Sequence, residues 1–418
     1  MTEQLPQSQA EVQALTRLAG DEFIGAVDGI AAMHRAISDR VFAAVRLGVG
    51  PAALPVKAVH DTITEGVYAA VGGTGYVIGE VASAVRVPGV TAPSRTVWGA
   101  GVLAAVQGLI GDTLADQTPI LSSPMTFRVD GMPVPPEELA AHFPVPTTRL
   151  VVLLHGLVET EHSWRLGHRP TYGERLEADL GYSPVFVRFN TGLHISENAA
   201  QLSDLLTRLV DSWPMPVHEI CLIGHSMGGL VLRSACHQAE QTGQAWVRSV
   251  RQMVCLGSPH HGAPLEQLAH YASAVLDLLP ETRPLSTLLR RRSAGIRDLR
   301  QGSLVDEDWR DLDVNTLRAR AVKEVPLLPG VDHYFVTTTI THSPTHPLGV
   351  IIGDGMVLSG SGSGRGRTRR LNFDGVNGLH VPAANHFSLL NHDAVYDALH
   401  SWLSGMPRRR RQVDTLWP

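Results

Sequence analysis

Two textures divide the chain. Over 11–117 the apolar residues are mostly Ala, Val and Gly, and they recur at helical spacing rather than in the alternation of a strand. In 21–45, Phe23, Ile24, Val27, Ile30, Ile37, Val41 and Val45 share one broad face, which predicts an amphipathic helix. Further helices are predicted over 58–71, 76–85 and 97–115. From Leu150 onward the apolar residues instead form short unbroken runs: LVVLL at 150–154, PVFVRF at 184–189, EICLIG at 219–224 and QMVCLGS at 252–258, continued by HYFVTTTI at 333–340 and GLHVPAA at 378–384. Runs apolar on both faces that alternate with helical patterns predict a parallel sheet covered by helices.

Three further stretches complete the expected organisation. The segment 118–148 contains MTFRVDGMPVPPEE, with a turn signal at Asp130-Gly131 and helix-breaking prolines, and is expected to form a hairpin and linker leading into the sheet. Over 264–330 the strand pattern stops and polar, helical sequence replaces it, as for a lid-like insertion over the sheet. The expected domains are therefore a helical segment at 1–117, the hairpin and linker at 118–148, an α/β domain at 149–405 with its insertion at 264–330, and a basic tail at 406–418 carrying Arg408 to Arg411.

The stretch 97–111 is the most apolar, but it is shorter than the roughly 20 residues that cross a bilayer and ends at Asp112, so a transmembrane span is not expected. Gly99, Gly101, Gly108 and Gly111 suit close helix contact. A membrane-surface role for these helices would call for more Lys and Arg than they carry, so ordinary packing is preferred and peripheral membrane contact is the alternative.

Composition narrows the function. The 418 residues leave room for a main domain and a substantial extra segment, and 44% hydrophobic against 18% charged residues is ordinary for a globular core. A net charge of -5 gives no general attraction to nucleic acid. Cys221, Cys236 and Cys255 lie in or beside apolar runs and indicate no disulfide framework. The opening MTEQLPQSQAEVQ lacks a basic then apolar leader, so the expected compartment is the cytoplasm.

The tightest chemical signal is LIGHSMGGLV. Gly224-His225-Ser226-Met227-Gly228 matches G-x-S-x-G directly after a strand pattern and before a helical one, the context of a nucleophile elbow in an α/β-hydrolase fold. A serine hydroxyl needs an imidazole to take its proton and a carboxylate to orient that imidazole, and in this fold both follow the serine, carboxylate first. Asp354 in IIGDGMV and His386 in AANHFSLLNHD satisfy that order. His392 is the competitor for the base and Asp374, in a DG turn, for the acid, whereas His380 lies inside a strand and His400 inside the last helix. Oxyanion donors are expected from the backbone N–H of Met227 and of Leu157, the latter in the loop after LVVLL. His155 precedes the serine and is read as bracing that loop. No metal-ligand spacing, phosphate loop or dinucleotide fingerprint stands out, so no cofactor is expected.

These motifs resemble bacterial α/β-hydrolase lipases and esterases, notably those grouped with GPI inositol-deacylase-like hydrolases. The likeness covers roughly 149–403 and rests on LLHGLVET, RFNTGLHISENAAQL, LIGHSMGGLV, CLGSPHHGAPLE, GDGMV and HFSLLNHDAVYDALHSWL, in the family's order. GSPHHGAP departs from the lipase G-T-P-H-x-G-S element, with Ser258 for threonine and Ala263 for the final serine, and its His260 is read as structural. The resemblance implies a Ser226–His386–Asp354 triad, an oxyanion hole at Leu157 and Met227, and a serine carboxylic-ester hydrolase, an esterase or lipase.

A hydrophobic ester or lipid is the expected substrate, with Leu276, Leu278, Leu279, Leu285, Leu288 and Leu289 either lining an acyl pocket or packing the insertion onto the domain. Arg365, Arg367, Arg369 and Arg370 in SGSGSGRGRTRR form a basic loop that is either solvated or directed at an anionic group. Two other functions fit the same residues: an acyltransferase sharing the acyl-enzyme, and a noncatalytic membrane- or partner-binding protein. Oligomeric state is not legible.

Overall fold

The computed structural model describes residues 7–18, 91–263, 292–310, 322–343, 345–366 and 369–405. The helices expected over 21–45, 58–71 and 76–85, the six leucines of the insertion, Arg367 and the tail from 406 lie outside these residues.

Eight strands form one sheet: β1 (Thr126–Val129), β2 (Met132–Val134), β3 (Arg149–Leu154), β4 (Ser183–Arg188), β5 (Glu219–His225), β6 (Val250–Leu256), β7 (Asp332–Thr339) and β8 (Gly378–Pro382). Their order is β2-β1-β4-β3-β5-β6-β7-β8. The β1–β2 hairpin joins β4 antiparallel, and every pairing from β4 to β8 is parallel. This mostly parallel sheet with flanking helices is an α/β-hydrolase fold.

The unbroken apolar runs are explained by the pleat. Leu150, Val152 and Leu154 of β3 point into one core, with Ile220 and Leu222 of β5, while Val151 and Leu153 point into the other, with Cys221 and Ile223. The helices, in chain order, are α1 (Gln7–Leu18), α2 (Val97–Gln117), α3 (Tyr172–Leu180), α4 (Ile195–Ser212), α5 (Met227–Thr242), α6 (Ala294–Gln301), α7 (Pro347–Ile352) and α8 (Asp393–Leu403). The first core is covered by α4 and α5, the second by α3 and α8. Helix α3 opens on a capping box, in which Thr171 and Glu174 satisfy each other's backbone N–H, and closes on left-handed Gly181.

The described residues fall into two compact units, whose boundaries differ from the expected ones. The larger comprises 104–112, 123–263 and the described residues from 293 on. It starts well before residue 149, since it takes in 104–112 of α2 and the expected hairpin, which forms the edge of the sheet. The smaller holds 7–18, 91–103 and 113–122 with Arg292. There, buried Glu11 accepts hydrogen bonds from the N–H and hydroxyl of Ser94, at 2.9 and 2.7 Å.

Helix α2 corrects another expectation. It runs from Val97 to Gln117, two residues past the predicted end, and is long and apolar enough to cross a membrane, although half of its most apolar window is buried in the protein. Length therefore gives no ground for excluding a span; the packing of its middle shows what that stretch does in this fold. A Cβ at Gly108 would stand 2.4 Å from the Val158 side chain, and one at Gly111 would stand 2.1 Å from Asn190 Oδ1. Asn190 Nδ2 donates to the Gly111 carbonyl at 2.9 Å, and beside it Ile110 leaves helical geometry, the bend expected where a side chain enters the helix ladder. Gly101, by contrast, faces open space.

The described part of the insertion is packed down. In α6, the Gly295 N–H donates to the Gly192 carbonyl, and buried Asp298 accepts from the Ile195 N–H at 2.8 Å and faces His194 Nδ1 at 3.1 Å. Because residues 190–195 follow β4, α6 lies at the carboxyl edge of the sheet.

Substitution of two glycines separates contact from propensity. Gly111→Ala is expected to lower stability by about 1–3 kcal/mol through overpacking against Asn190, whereas Gly101→Ala is expected to raise it by about 0.5–1 kcal/mol through helix propensity alone. Denaturant unfolding of the full chain measures both, and equal effects would show that the Asn190 contact does not constrain the helix.

Candidate active site

β5 ends at His225 and α5 begins at Met227, leaving Ser226 alone to make the turn at φ 51° and ψ -120°. A non-glycine residue held there stores on the order of 1–3 kcal/mol of strain. The turn is held from both sides. The Ser226 N–H donates to the Leu256 carbonyl of β6 at 2.8 Å, and a Cβ on Gly228 would come within 2.5 Å of the Leu154 carbonyl of β3, so only glycine admits that approach. Met227 is the first residue of a 16-residue helix, where its N–H has no intrahelical acceptor and sits at the positive end of the helix dipole.

Asp354 and His386, 32 residues apart in sequence, meet at 2.7 Å between Oδ2 and Nδ1, and both are buried. The other carboxylate oxygen accepts from the N–H groups of Met356 at 2.9 Å and Val357 at 2.7 Å. Asp354 is thus fixed at both oxygens. Its loop follows β7, but the apolar run before it forms helix α7 rather than a strand. Burial opposes a positive charge on His386, yet the charge and hydrogen bond of Asp354, with Glu159 adding to them, raise the ring above its ordinary 6.5. His386 Nε2 is buried with no hydrogen-bond partner. The His386 ring lies 4.7 Å from that of His225, the residue before the serine.

The rival residues are occupied elsewhere. His392 caps α8, its Nδ1 accepting from the Ala394 N–H, and Asp374 accepts from the Val376 N–H in a turn. His380 sits in β8 between the hydroxyls of Thr337 and Thr339. His400 lies within α8. His155 stacks on Phe189 with ring centres 4.4 Å apart, and burial pulls it down to about 4, so it is a neutral brace of its loop. In that loop Gly156, Leu157 and Val158 follow β3, and Val158 adopts a positive φ of 56°.

Sequence reasoning missed one buried pair. The Glu159 carboxylate accepts from the Gly156 N–H at 2.7 Å and lies 2.9 Å from His225 Nδ1, while His225 Nε2 lies 3.2 Å from the His386 carbonyl oxygen. Both ring nitrogens of His225 thus face oxygen acceptors. This chain of bonds ties the loop after β3 to the elbow and to the backbone of His386. Burial works to raise the Glu159 carboxyl, but the charge and hydrogen bond of His225, then the Gly156 N–H, hold it below the usual 4.5. The signal was present in the sequence as an acid in HGLVET and the variable residue of the elbow motif, but spacing alone does not join positions 66 apart.

The family model of the PGAP1-like alpha/beta domain matches residues 187–323. No curated protein matches the chain. Among solved structures, the mature lipase BlEst2 of Bacillus licheniformis is 19% identical, with 62% of this chain and 94% of that one covered and a TM-score of 0.43. EstA of Clostridium botulinum is 15% identical over 72% of this chain and 98% of its own, with a TM-score of 0.37. Naproxen esterase of Bacillus subtilis is 12% identical over 61% and 83%, with a TM-score of 0.33.

Glu159→Gln tests the buried pair. Weakening the bonds that the carboxylate makes to the Gly156 N–H and to His225 is expected to cost about 1–3 kcal/mol at neutral pH. Because the folded carboxyl titrates below its unfolded value of 4.5, its contribution is complete above 4.5 and is lost as pH falls through the depressed folded value. Urea unfolding from pH 7 to 3 should therefore show a shallower acid loss in the variant, and identical slopes would rule the pair out as a stabilising element.

Proposed function

We propose that this chain is a serine carboxylic-ester hydrolase, an esterase or lipase, with Ser226 as nucleophile, His386 as base and Asp354 as the residue that orients it. The observation that carries the reading is the His386 Nδ1 to Asp354 Oδ2 contact of 2.7 Å, on a ring 4.7 Å from that of His225, the residue before the strained serine, with His386 Nε2 left unpartnered. Asp354 fixes the tautomer that leaves Nε2 able to accept a proton.

As the Ser226 oxygen attacks the ester carbonyl, its proton passes to Nε2, and the imidazolium so formed is stabilised by Asp354. Negative charge gathers on the former carbonyl oxygen, where the N–H groups of Leu157 and Met227 are the proposed donors. His386 then gives its proton to the departing alkoxide, leaving an acyl-enzyme. Water, deprotonated by the same nitrogen, releases the acid and restores the serine. Substrate polarity is suggested by Val158 and Phe387, next to the proposed donor and base, which expose apolar side chains at 39% and 40%. Such surface favours a hydrophobic ester.

A fluorophosphonate probe is expected to label Ser226, and Ser226→Ala to abolish both labelling and p-nitrophenyl ester turnover. Turnover retained by that variant would sink the proposal. Asp354→Asn is expected to lower kcat by about ten-thousand-fold. His386 must be neutral to act as base, so activity should fall as pH drops through a value above 6.5. The acidic limb of the kcat/KM profile locates that value, and it should lie lower in Asp354→Asn.

A further inference from the structure

Arg233 lies on α5, two turns beyond the elbow, and is 5% exposed. Its Nη2 donates to the Val325 carbonyl at 2.6 Å and its Nη1 to His260 Nδ1 at 3.2 Å, while its Nε has no partner. A buried guanidinium ordinarily faces a carboxylate, but these partners are neutral. His260 is 3% exposed, and because its Nδ1 accepts from Arg233, its proton sits on Nε2, which is also unpartnered. Two buried donors are thus unmatched, a state that costs free energy for each group.

Both residues wall a small cleft that opens to solvent, and His261, Lys323, Arg369 and Arg370 complete its basic lining. The one acidic lining residue among those described is exposed Glu324. Lys323 is already paired with Glu307 at 2.6 Å. Burial, with the charge of Arg369 adding to it, pulls Arg233 down to about 10, and burial followed by Arg233 drives His260 well below the imidazole range. The positive groups oppose one another across the cleft.

We propose that this cleft binds a phosphate group, whose oxygens accept from the guanidinium groups of Arg369 and Arg370 and whose charge offsets the repulsion between Arg369 and buried Arg233. Guanidinium groups suit this ligand because their planar forks match phosphate oxygens. The proposal rests on the cleft alone and holds whether or not Ser226 is the nucleophile. The cleft nevertheless shares its walls with the candidate active site. Helix α5 carries Met227, and the loop that carries His260 begins at Gly257, where a Cβ would stand 3.1 Å from the His386 ring. The phosphate can come free in solution or on a lipid headgroup.

Calorimetric titration of inorganic phosphate into the full chain at low ionic strength tests the site. The expected result is saturable one-to-one binding, weakened at least about tenfold by Arg369→Gln/Arg370→Gln and unchanged by Arg248→Gln/Arg251→Gln, which removes the same charge from exposed positions outside the cleft. Exposed Lys323→Gln gives a second, weaker site variant should the first pair fail to fold. Co-sedimentation with phosphatidylcholine vesicles, with and without phosphatidic acid, identifies the source. Recruitment to the acidic vesicles that phosphate competes away supports a headgroup, and phosphate binding without recruitment supports the free ion. Absence of both, or equal weakening by the two double variants, overturns the site.

Discussion

The backbone turn at Ser226 is the constraint on which the arrangement of the site depends. A serine at φ 51° is held only because its neighbours fix the chain on each side. β5 lies between β3 and β6, and these two strands supply the holding contacts: the Leu256 carbonyl takes the Ser226 N–H, and the Leu154 carbonyl crowds Gly228. The same two strands then run on into the loops beside the serine, the Gly156–Val158 loop from β3 and the Gly257 loop from β6. A central position in the sheet is therefore both what stabilises the strained turn and what brings the surrounding groups to it.

Charge burial follows the same logic. Acid–base pairs sunk at this edge include Asp354 with His386, Glu159 with His225, and Glu161 with Arg188. A buried pair contributes little net stability over an apolar substitute, and what it gains is geometric definition once its remaining oxygens are also bonded. Asp354 meets this with two backbone N–H groups and Glu159 with one. Each carboxylate thus fixes a loop as well as an imidazole. Arg233 is the exception, since its partners carry no negative charge, and this asymmetry is what distinguishes a cleft suited to an anion from a structural ion pair.

How much could be read from the sequence depended on whether the information was local. The strands were legible because residues apolar on both faces have one common explanation, and the elbow because its motif and its strand–turn–helix context occupy one stretch of about a dozen residues, although the contact that demands Gly228 comes from Leu154 of β3. Asp354 and His386 were singled out by their order after the serine, and the fold brings their side chains into contact. The run before Asp354 is ambiguous in the sequence, because GVII is apolar enough for either a strand or the short helix it forms. The hairpin at 126–134 was seen, but not its place in the sheet, since pairing β1 to β4 spans some 60 residues and no local pattern encodes it. Glu159 with His225 and Arg233 with His260 were missed for that reason too: each partner looked ordinary where it stood.

The same distance in sequence hides the origin of the rim around the site. The loop after β4, residues 190–193, receives Gly111 of α2 through Asn190 and Gly295 of α6 through the Gly192 carbonyl. α2 and α6 also meet directly, Ser293 donating to the Gly108 carbonyl at 2.6 Å and the Ala294 N–H to Asp112 at 2.8 Å. Chain from before the sheet and chain inserted within it therefore close on one loop at the carboxyl edge, and the glycines of α2 are what let the three segments approach. Residues 104–112 are consequently part of the walls of the α/β unit. A boundary drawn after residue 117 would cut through the packing that holds the Asn190 loop, and with it the edge on which Ser226, His386 and the Gly156–Val158 loop converge.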